Sequence, residues 1–319
     1  MRKPSFLWVA LVLSLTLLPA MVVGADSVHK IEVRDGGLVA NLWIPEGKGP
    51  FPGLLLLGGS GGGMGWQDEV GELLASRGFL SLALAYFGLD GLPDELERVP
   101  LEYVDIGLTF LRLQSQVDSE QIGVVGVSKG GELALLVASM RPELHAVVAF
   151  VPSGFVWQSI ADGYPLTSSW SYRGAEVPYL LYGSVERPTS IADFYRAGIE
   201  QAGPETLTAA TIPVERIKGP ILLLSGRADN LWPSTDLCER IVTRLGEQRF
   251  GYPVEHHAYP DAGHLISRVR DDDVTRRGGT EEGNRQAQLD GRDRMIAFLE
   301  RHLKPSPAAA DKQPPSGRR

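Results

Sequence analysis

The stretch Ile122-Gly123-Val124-Val125-Gly126-Val127-Ser128-Lys129-Gly130-Gly131 decides how this chain is read. Ile122–Val127 is a short apolar run of strand length, and Lys129–Met140 follows it as a mostly apolar helix. A serine at such a strand-to-helix turn must take a strained backbone for its hydroxyl to stand clear of the sheet. Glycine two residues before and two after removes the Cβ clashes that the turn would create. Gly-x-Ser-x-Gly alone is a weak signal, because both residues are common in loops. Here the strand before it and the helix after it supply the context the motif requires. The competing reading is a tight glycine turn with an incidental serine.

Outward from this turn the same alternation recurs. Gly53-Leu54-Leu55-Leu56-Leu57 is a buried-strand signal that opens into the loop Gly58-Gly59-Ser60-Gly61-Gly62-Gly63. Val70, Leu73 and Leu74 keep helical spacing up to Gly78, and Phe79–Tyr86 is a second buried strand. Pro100 starts a helix with Leu101, Val104, Leu108 and Leu111 on one face. Ala146–Val151, Ile221–Ser225 and Val254–Tyr259 read as further strands, with a helix over Thr235–Leu245. A last helix is expected to carry Leu289, Ile296, Leu299 and Leu303 on one face, with Glu281 and Glu282 near its N-terminus, where acid is favoured. An N-terminal hairpin is expected around Asp35-Gly36-Gly37. Strands apolar on both faces and alternating with helices indicate a parallel sheet covered on both sides. Residues 155–215 break the pattern and, being rich in Trp, Tyr, Pro, Ser and Gly, read as a lid-like insertion. The fold expected over residues 26–303 is therefore α/β, of the α/β-hydrolase type, with a mostly parallel sheet flanked by helices.

A serine hydroxyl needs a base to take its proton near neutral pH. Loops gather around the nucleophile at the C-terminal edge of such a sheet. Of the six histidines, His264 lies in a loop after the final strand, in Tyr259-Pro260-Asp261-Ala262-Gly263-His264. His29, His145 and His302 fall on the hairpin, a strand start and the last helix; His256 and His257 lie within a strand, where packing is the better reading. The base in turn needs an acid to hold its tautomer, and in this fold that acid lies between serine and histidine in the chain. Asp229 immediately follows the Ile221–Ser225 strand, whereas the rival Asp261 sits in turn chemistry, Pro-Asp-Ala-Gly. The catalytic residues expected are Ser128, Asp229 and His264. The oxyanion hole would use the backbone N–H of Lys129 and a second from the Gly59-Ser60 loop. The glycine cluster fits no phosphate loop, since Met64 follows it where lysine is needed, and no Gly-x-Gly-x-x-Gly overlays residues 58–66. No cofactor is expected.

The chain has 319 residues, 43% of them apolar, and a net charge of −8. With no basic run along one face, a nucleic-acid groove or an anionic-membrane surface is not expected. The single cysteine, Cys238, excludes an internal disulfide, argues against a cysteine-based metal site, and reads as a half-buried apolar residue. Arg2 and Lys3 precede an apolar run, Phe6–Leu18, followed by Pro19 and the small residues Val23-Gly24-Ala25. That is the layout of a secretory signal peptide over residues 1–25, with an uncleaved anchor as the competing reading. Export of a soluble periplasmic or extracellular form is therefore expected, with no stable membrane insertion after cleavage. Without Arg2 and Lys3 the remaining chain carries 29 basic against 39 acidic side chains, a net of −10. Residues 304–319, with four prolines and no large apolar side chain, read as a disordered tail.

At this point the residues resemble a known group. Leu82–Phe87, Leu92–Leu96, Val99–Tyr103, Gly126–Leu135, Ile212–Leu223, Asp229 with Trp232, and Tyr259–His264 are similar to the C-terminal catalytic domain of acyl-CoA thioester hydrolases and bile acid-CoA:amino acid N-acyltransferases. The resemblance spans residues 50–303 and maps the family's triad onto Ser128, Asp229 and His264. It implies an acyl-enzyme and a small-molecule acyl thioester or ester as substrate. The amino-acid-transferring branch typically has cysteine at the position of Ser128, so hydrolysis is implied rather than transfer to an amine. Animal members resemble a fusion of a β-sandwich domain to this one; here about 25 residues precede the first sheet signals. Coenzyme A thioesters are intracellular, so with export expected the reaction class carries over more firmly than the coenzyme A leaving group. A carboxylesterase is the alternative within the enzyme class. A catalytically idle binding protein on the same scaffold is the alternative outside it.

Overall fold

The computed structural model describes residues 28–268 and 275–304. The expected signal peptide and all of the expected tail except Lys304 lie outside the described residues. In chain order come β1 (His29–Asp35), β2 (Leu38–Ile44), β3 (Phe51–Leu57), α1 (Gly65–Ala75), β4 (Leu80–Leu84), β5 (Val99–Pro100), α2 (Leu101–Arg112), β6 (Val117–Val127), α3 (Lys129–Met140) and β7 (Ala146–Phe150). Then follow β8 (Trp170–Tyr172), β9 (Ala175–Glu176), α4 (Ala192–Gln201), α5 (Pro204–Ala210), β10 (Ile221–Gly226), α6 (Ser234–Glu247), β11 (Val254–Tyr259) and α7 (Glu281–Leu303).

Eight of these strands form one sheet in the order β1-β2-β4-β3-β6-β7-β10-β11. β1 and β2 pair antiparallel across the expected hairpin, and β2 meets β4 antiparallel. Every pairing from β4 to β11 is parallel. This is the α/β-hydrolase fold. Strand periodicity explains why the central runs are apolar throughout. Leu55 and Leu57 face the layer holding Val104, Leu108, Leu133 and Ile241, whereas Leu54 and Leu56 face Leu74, Phe298 and Leu299. Successive side chains point to opposite faces, and both faces are covered. Each fully buried leucine contributes about 1.5–3 kcal/mol relative to exposure.

Residues 155–215 add no strand to this sheet. They carry α4, α5 and the short β8 and β9, which join β5 in a separate three-stranded sheet. A small core of Phe155, Trp157, Leu180, Tyr195, Trp232 and Leu237 joins the insertion to the start of α6.

One sequence expectation is corrected on α7. Leu289 is 48% exposed, while Ile296, Leu299 and Leu303 are buried as expected. In the N-terminal half of this helix the sheet-facing stripe passes through Asn284, Ala287, Gln288 and Gly291 instead. Leu289 falls at the stripe's margin, because polar side chains occupy the buried face where the helix passes the loop carrying His264.

Candidate active site

Ser128 lies between the end of β6 and the start of α3, with φ 55° and ψ −120°. A non-glycine residue held there is strained and persists only when its surroundings over-determine it. The surroundings do so. A Cβ on Gly126 would collide with the Gly130 carbonyl, and one on Gly130 with the Gly58 carbonyl. Both glycines of the motif are thus demanded by close approach of backbone to backbone. The Ser128 N–H donates to the Phe150 carbonyl at 2.9 Å, and its own carbonyl accepts from the Glu132 N–H at 2.9 Å, the first bonded turn of α3.

β10 and β11 are parallel neighbours, so the loops after them emerge side by side at the edge where Ser128 stands. These loops carry Asp229 and His264. His264 Nε2 lies 2.9 Å from Ser128 Oγ, and Nδ1 lies 2.8 Å from Asp229 Oδ2. A carboxylate only accepts, so Nδ1 carries the proton and Nε2 is left to accept from the Ser128 hydroxyl. Asp229 is itself fixed, since its Oδ1 accepts from the N–H groups of Leu231 at 2.9 Å and Trp232 at 3.2 Å. All three side chains are buried. Asp261 is exposed, and its backbone carbonyl accepts from the Thr280 N–H.

The histidine loop is held by residues that the sequence pattern did not single out. The Asn284 side chain accepts from the Gly263 N–H at 2.8 Å, and the Gln288 side chain donates to the Leu265 carbonyl at 2.7 Å. These contacts bracket His264 on both sides. Two amides at i and i+4 on the helix that follows the histidine loop were the available signal.

A cavity of about 760 Å³ opens above Ser128. Tyr164, Tyr182, Phe194, Tyr195 and Trp232 supply aromatic wall, and Ser60 and Lys129 lie on it beside Ser128. Two further aromatics of the insertion, Trp157 and Trp170, are fully buried and pack behind the wall. Burial pushes the Tyr182 hydroxyl up to about 12 and that of Tyr195 well above its ordinary value, so both are neutral wall groups. Gly59 packs against Ser128, and Ser60 reaches the cavity, which places the glycine loop beside the serine as expected.

A second serine–histidine contact lies nearby, Ser225 Oγ to His256 Nε2 at 2.8 Å. Ser225 is buried within β10 and does not line the cavity. Cys238 is completely buried rather than half-buried, and burial pushes its thiol far above the ordinary range. Among the described residues no group of three His, Cys, Asp or Glu side chains is placed to hold a metal ion.

Inside the first turn of α3 the side chains of Lys129 and Glu132 form an ion pair at 2.6 Å with 1% and 0% exposure. This pair escaped the sequence reading. A Lys-x-x-Glu at the head of an otherwise apolar helix was its only signal.

Residues 99–305 match the family described as BAAT / Acyl-CoA thioester hydrolase C terminal. The chain belongs to this family. Among relatives of this BAAT and thioesterase group, it is 31% identical over 299 residues to acyl-coenzyme A thioesterase 5 of Mus musculus, covering 89% of this chain and 69% of the relative. Mouse mitochondrial acyl-coenzyme A thioesterase 2 is 35% identical over 245 residues, covering 76% and 51%. Mouse bile acid-CoA:amino acid N-acyltransferase is 31% identical over 256 residues, covering 76% and 55%. The chain thus spans between 51% and 69% of the length of these curated relatives. In architecture it is similar to an acylaminoacyl peptidase of Pyrococcus horikoshii, with TM-score 0.60 at 18% identity over 89% of this chain and 43% of that one. It is also similar to a putative dienelactone hydrolase of Klebsiella pneumoniae, with TM-score 0.56 at 18% identity over 87% and 100%.

Proposed function

We propose that this chain is a serine hydrolase that cleaves a small-molecule acyl thioester or ester through an acyl-enzyme on Ser128. The observation that carries this is the continuous hydrogen-bonded series from Ser128 Oγ through His264 to Asp229, with Ser128 on the wall of an aromatic cavity. In this mechanism His264 Nε2 takes the Ser128 proton as Oγ attacks the acyl carbonyl. The N–H groups of Lys129 and of Ser60, or of its neighbour Gly59, hold the oxyanion. Asp229 stabilises the imidazolium, which then protonates the leaving sulfur or oxygen as its bond to the acyl carbon breaks, so that it departs as the thiol or alcohol. Water, deprotonated by His264, releases the acid and restores Ser128.

The relatives named as acyl-coenzyme A thioesterases support a thioester as first choice. A fluorophosphonate probe should label the protein at Ser128, and matched thioesters and oxygen esters should then be compared on the purified protein. Turnover of thioesters with label on Ser128 is the expected result. Turnover of oxygen esters alone would install the carboxylesterase reading, and no label with no turnover would install the idle scaffold.

Residues 1–25 export the chain in this proposal, so the mature form begins near Ala25 or Asp26. N-terminal sequencing of protein recovered outside the cytoplasm checks this. Protein found only in membranes with Arg2 and Lys3 retained would establish an anchor instead.

Away from intracellular coenzyme A, the nucleotide portion of a thioester should contribute little. The exported form's net charge of −10 offers no long-range attraction to polyanionic phosphates. An acyl-coenzyme A and a simple thioester of the same acyl group should give similar kcat/KM, because remote binding energy appears only where protein contacts it. A preference of about a hundredfold for the coenzyme A thioester, equal to about 2.7 kcal/mol of transition-state binding, would restore coenzyme A as the leaving group.

A further inference from the structure

We propose that the buried Lys129–Glu132 pair is a positioning device that holds the acyl-pocket wall in place around the nucleophile turn, and so sets which acyl groups the site prefers. The inference rests on the reading of Ser128 as nucleophile and of the aromatic cavity as the acyl pocket.

Glu132 is a hub. Its Oε1 accepts from Lys129 Nζ at 2.6 Å, from Trp170 Nε1 at 2.7 Å and from the Trp157 N–H at 3.3 Å, while Oε2 accepts from Lys129 Nζ at 2.7 Å. The Lys129 ammonium also lies 5.3 Å from the centre of the Trp170 ring. This carboxylate links three strips of chain around Ser128, two directly and one through Trp170. The first is the turn itself, since Lys129 follows Ser128 and offers its amide to the oxyanion. The second is the pocket wall. The Trp157 ring lies 6.1 Å from Tyr182 and 4.7 Å from Tyr195, both of which face the cavity, and the chain after Trp157 supplies Ser159–Tyr164 to it. The third is the glycine loop. Trp170 lies 5.7 Å from the Tyr86 ring, whose hydroxyl donates to the carbonyl of Gly58, the residue before Gly59 and Ser60.

Stability alone does not account for such a pair. Removing two charges from water costs several kcal/mol for each ion, and a well-packed apolar pair of similar volume is often as stable or more so. Burial pushes the Lys129 ammonium down and the Glu132 carboxyl up, and mutual attraction pulls each back. What an apolar pair could not supply is a fixed carboxylate joining the insertion's two tryptophans to the residue beside the nucleophile.

The test uses the exported form of the chain carrying Lys129→Met with Glu132→Leu, and a series of 4-nitrophenyl esters of increasing acyl length. The double variant is expected to melt at or above the parent temperature and to accept the fluorophosphonate label on Ser128. Its ratio of kcat/KM between best and worst acyl lengths should fall at least about tenfold, because the wall no longer distinguishes them. A ratio unchanged from the parent overturns the proposal, whether overall activity holds or falls equally for every ester. A parent profile that is already flat overturns it too. Should the double variant not fold, the same ratio is read on Trp170→Phe, which keeps the ion pair and an aromatic ring but removes the indole N–H that Glu132 holds, and the ratio should fall there too. Label on parent Ser128 with an unchanged profile sinks the positioning role and leaves the nucleophile standing; no label on the parent sinks both.

Discussion

Replacing Ser128 by alanine should lower kcat by about 10⁶-fold, the order of loss expected where a nucleophile acts as one unit with its base. The fold should survive the change. The hydroxyl's bonded partner is His264 Nε2, and alanine keeps the same Cβ at the same strained φ of 55°. The lost hydrogen bond is worth about 1 kcal/mol, a change of about 2–4 °C in Tm for a domain of this size. Stopped assays with excess enzyme, alongside thermal melts, make the measurement. Activity within about tenfold of the parent in a folded variant would place the nucleophile elsewhere, because the oxyanion donors alone cannot sustain it.

The sheet was legible because the period of each strand and the chemistry of each turn agreed. Ile122–Val127 and Ile221–Ser225 are largely apolar runs of strand length bounded by turn residues, and they and the more polar Val254–Tyr259 each lie in a strand of the parallel sheet that ends within one residue of its expected limit. The positions of Ser128, Asp229 and His264 in chain order, each just after a strand, were enough to bring their side chains together, since parallel strands deliver their following loops to one edge. Their roles in a reaction remain the proposal made above.

The supports of the site were not legible, for a physical reason. Glu132 reads as one acid in the first turn of a helix, where an acid is favoured by the helix dipole alone. Only Trp157 and Trp170, which lie 25 and 38 residues further on, turn it into a buried hub. Asn284 and Gln288 likewise read as surface polar residues until the helix carrying them packs against the histidine loop. Leu289 shows the converse. Helical spacing groups it with Ile296, but the needs of the histidine loop set which face of α7 is turned inward near its start. Local pattern reports which residues can share a face, and long-range contacts decide which face is buried.

Asp229→Asn should be far more damaging than Asp261→Asn. The Asp229 carboxylate accepts from His264 Nδ1 at 2.8 Å, while two backbone N–H groups hold its other oxygen. An asparagine in the same place keeps the shape. To satisfy the two backbone donors its carbonyl must face Leu231 and Trp232, which turns the NH₂ group toward Nδ1. The imidazole then accepts at Nδ1, carries its proton on Nε2, and presents a donor to the Ser128 hydroxyl where an acceptor is needed. The expected loss in kcat is about 10⁴-fold, with the fold retained. Asp261 is exposed and engages Thr280 through its backbone carbonyl, so its amide variant should stay within about threefold of the parent, as surface substitutions away from special contacts do. The comparison is read as kcat for both variants on the same ester. Equal losses, or a greater loss at Asp261, would move the acid to the loop that carries His264. The hydrogen bond between Asp229 and His264 would then be a structural contact alone.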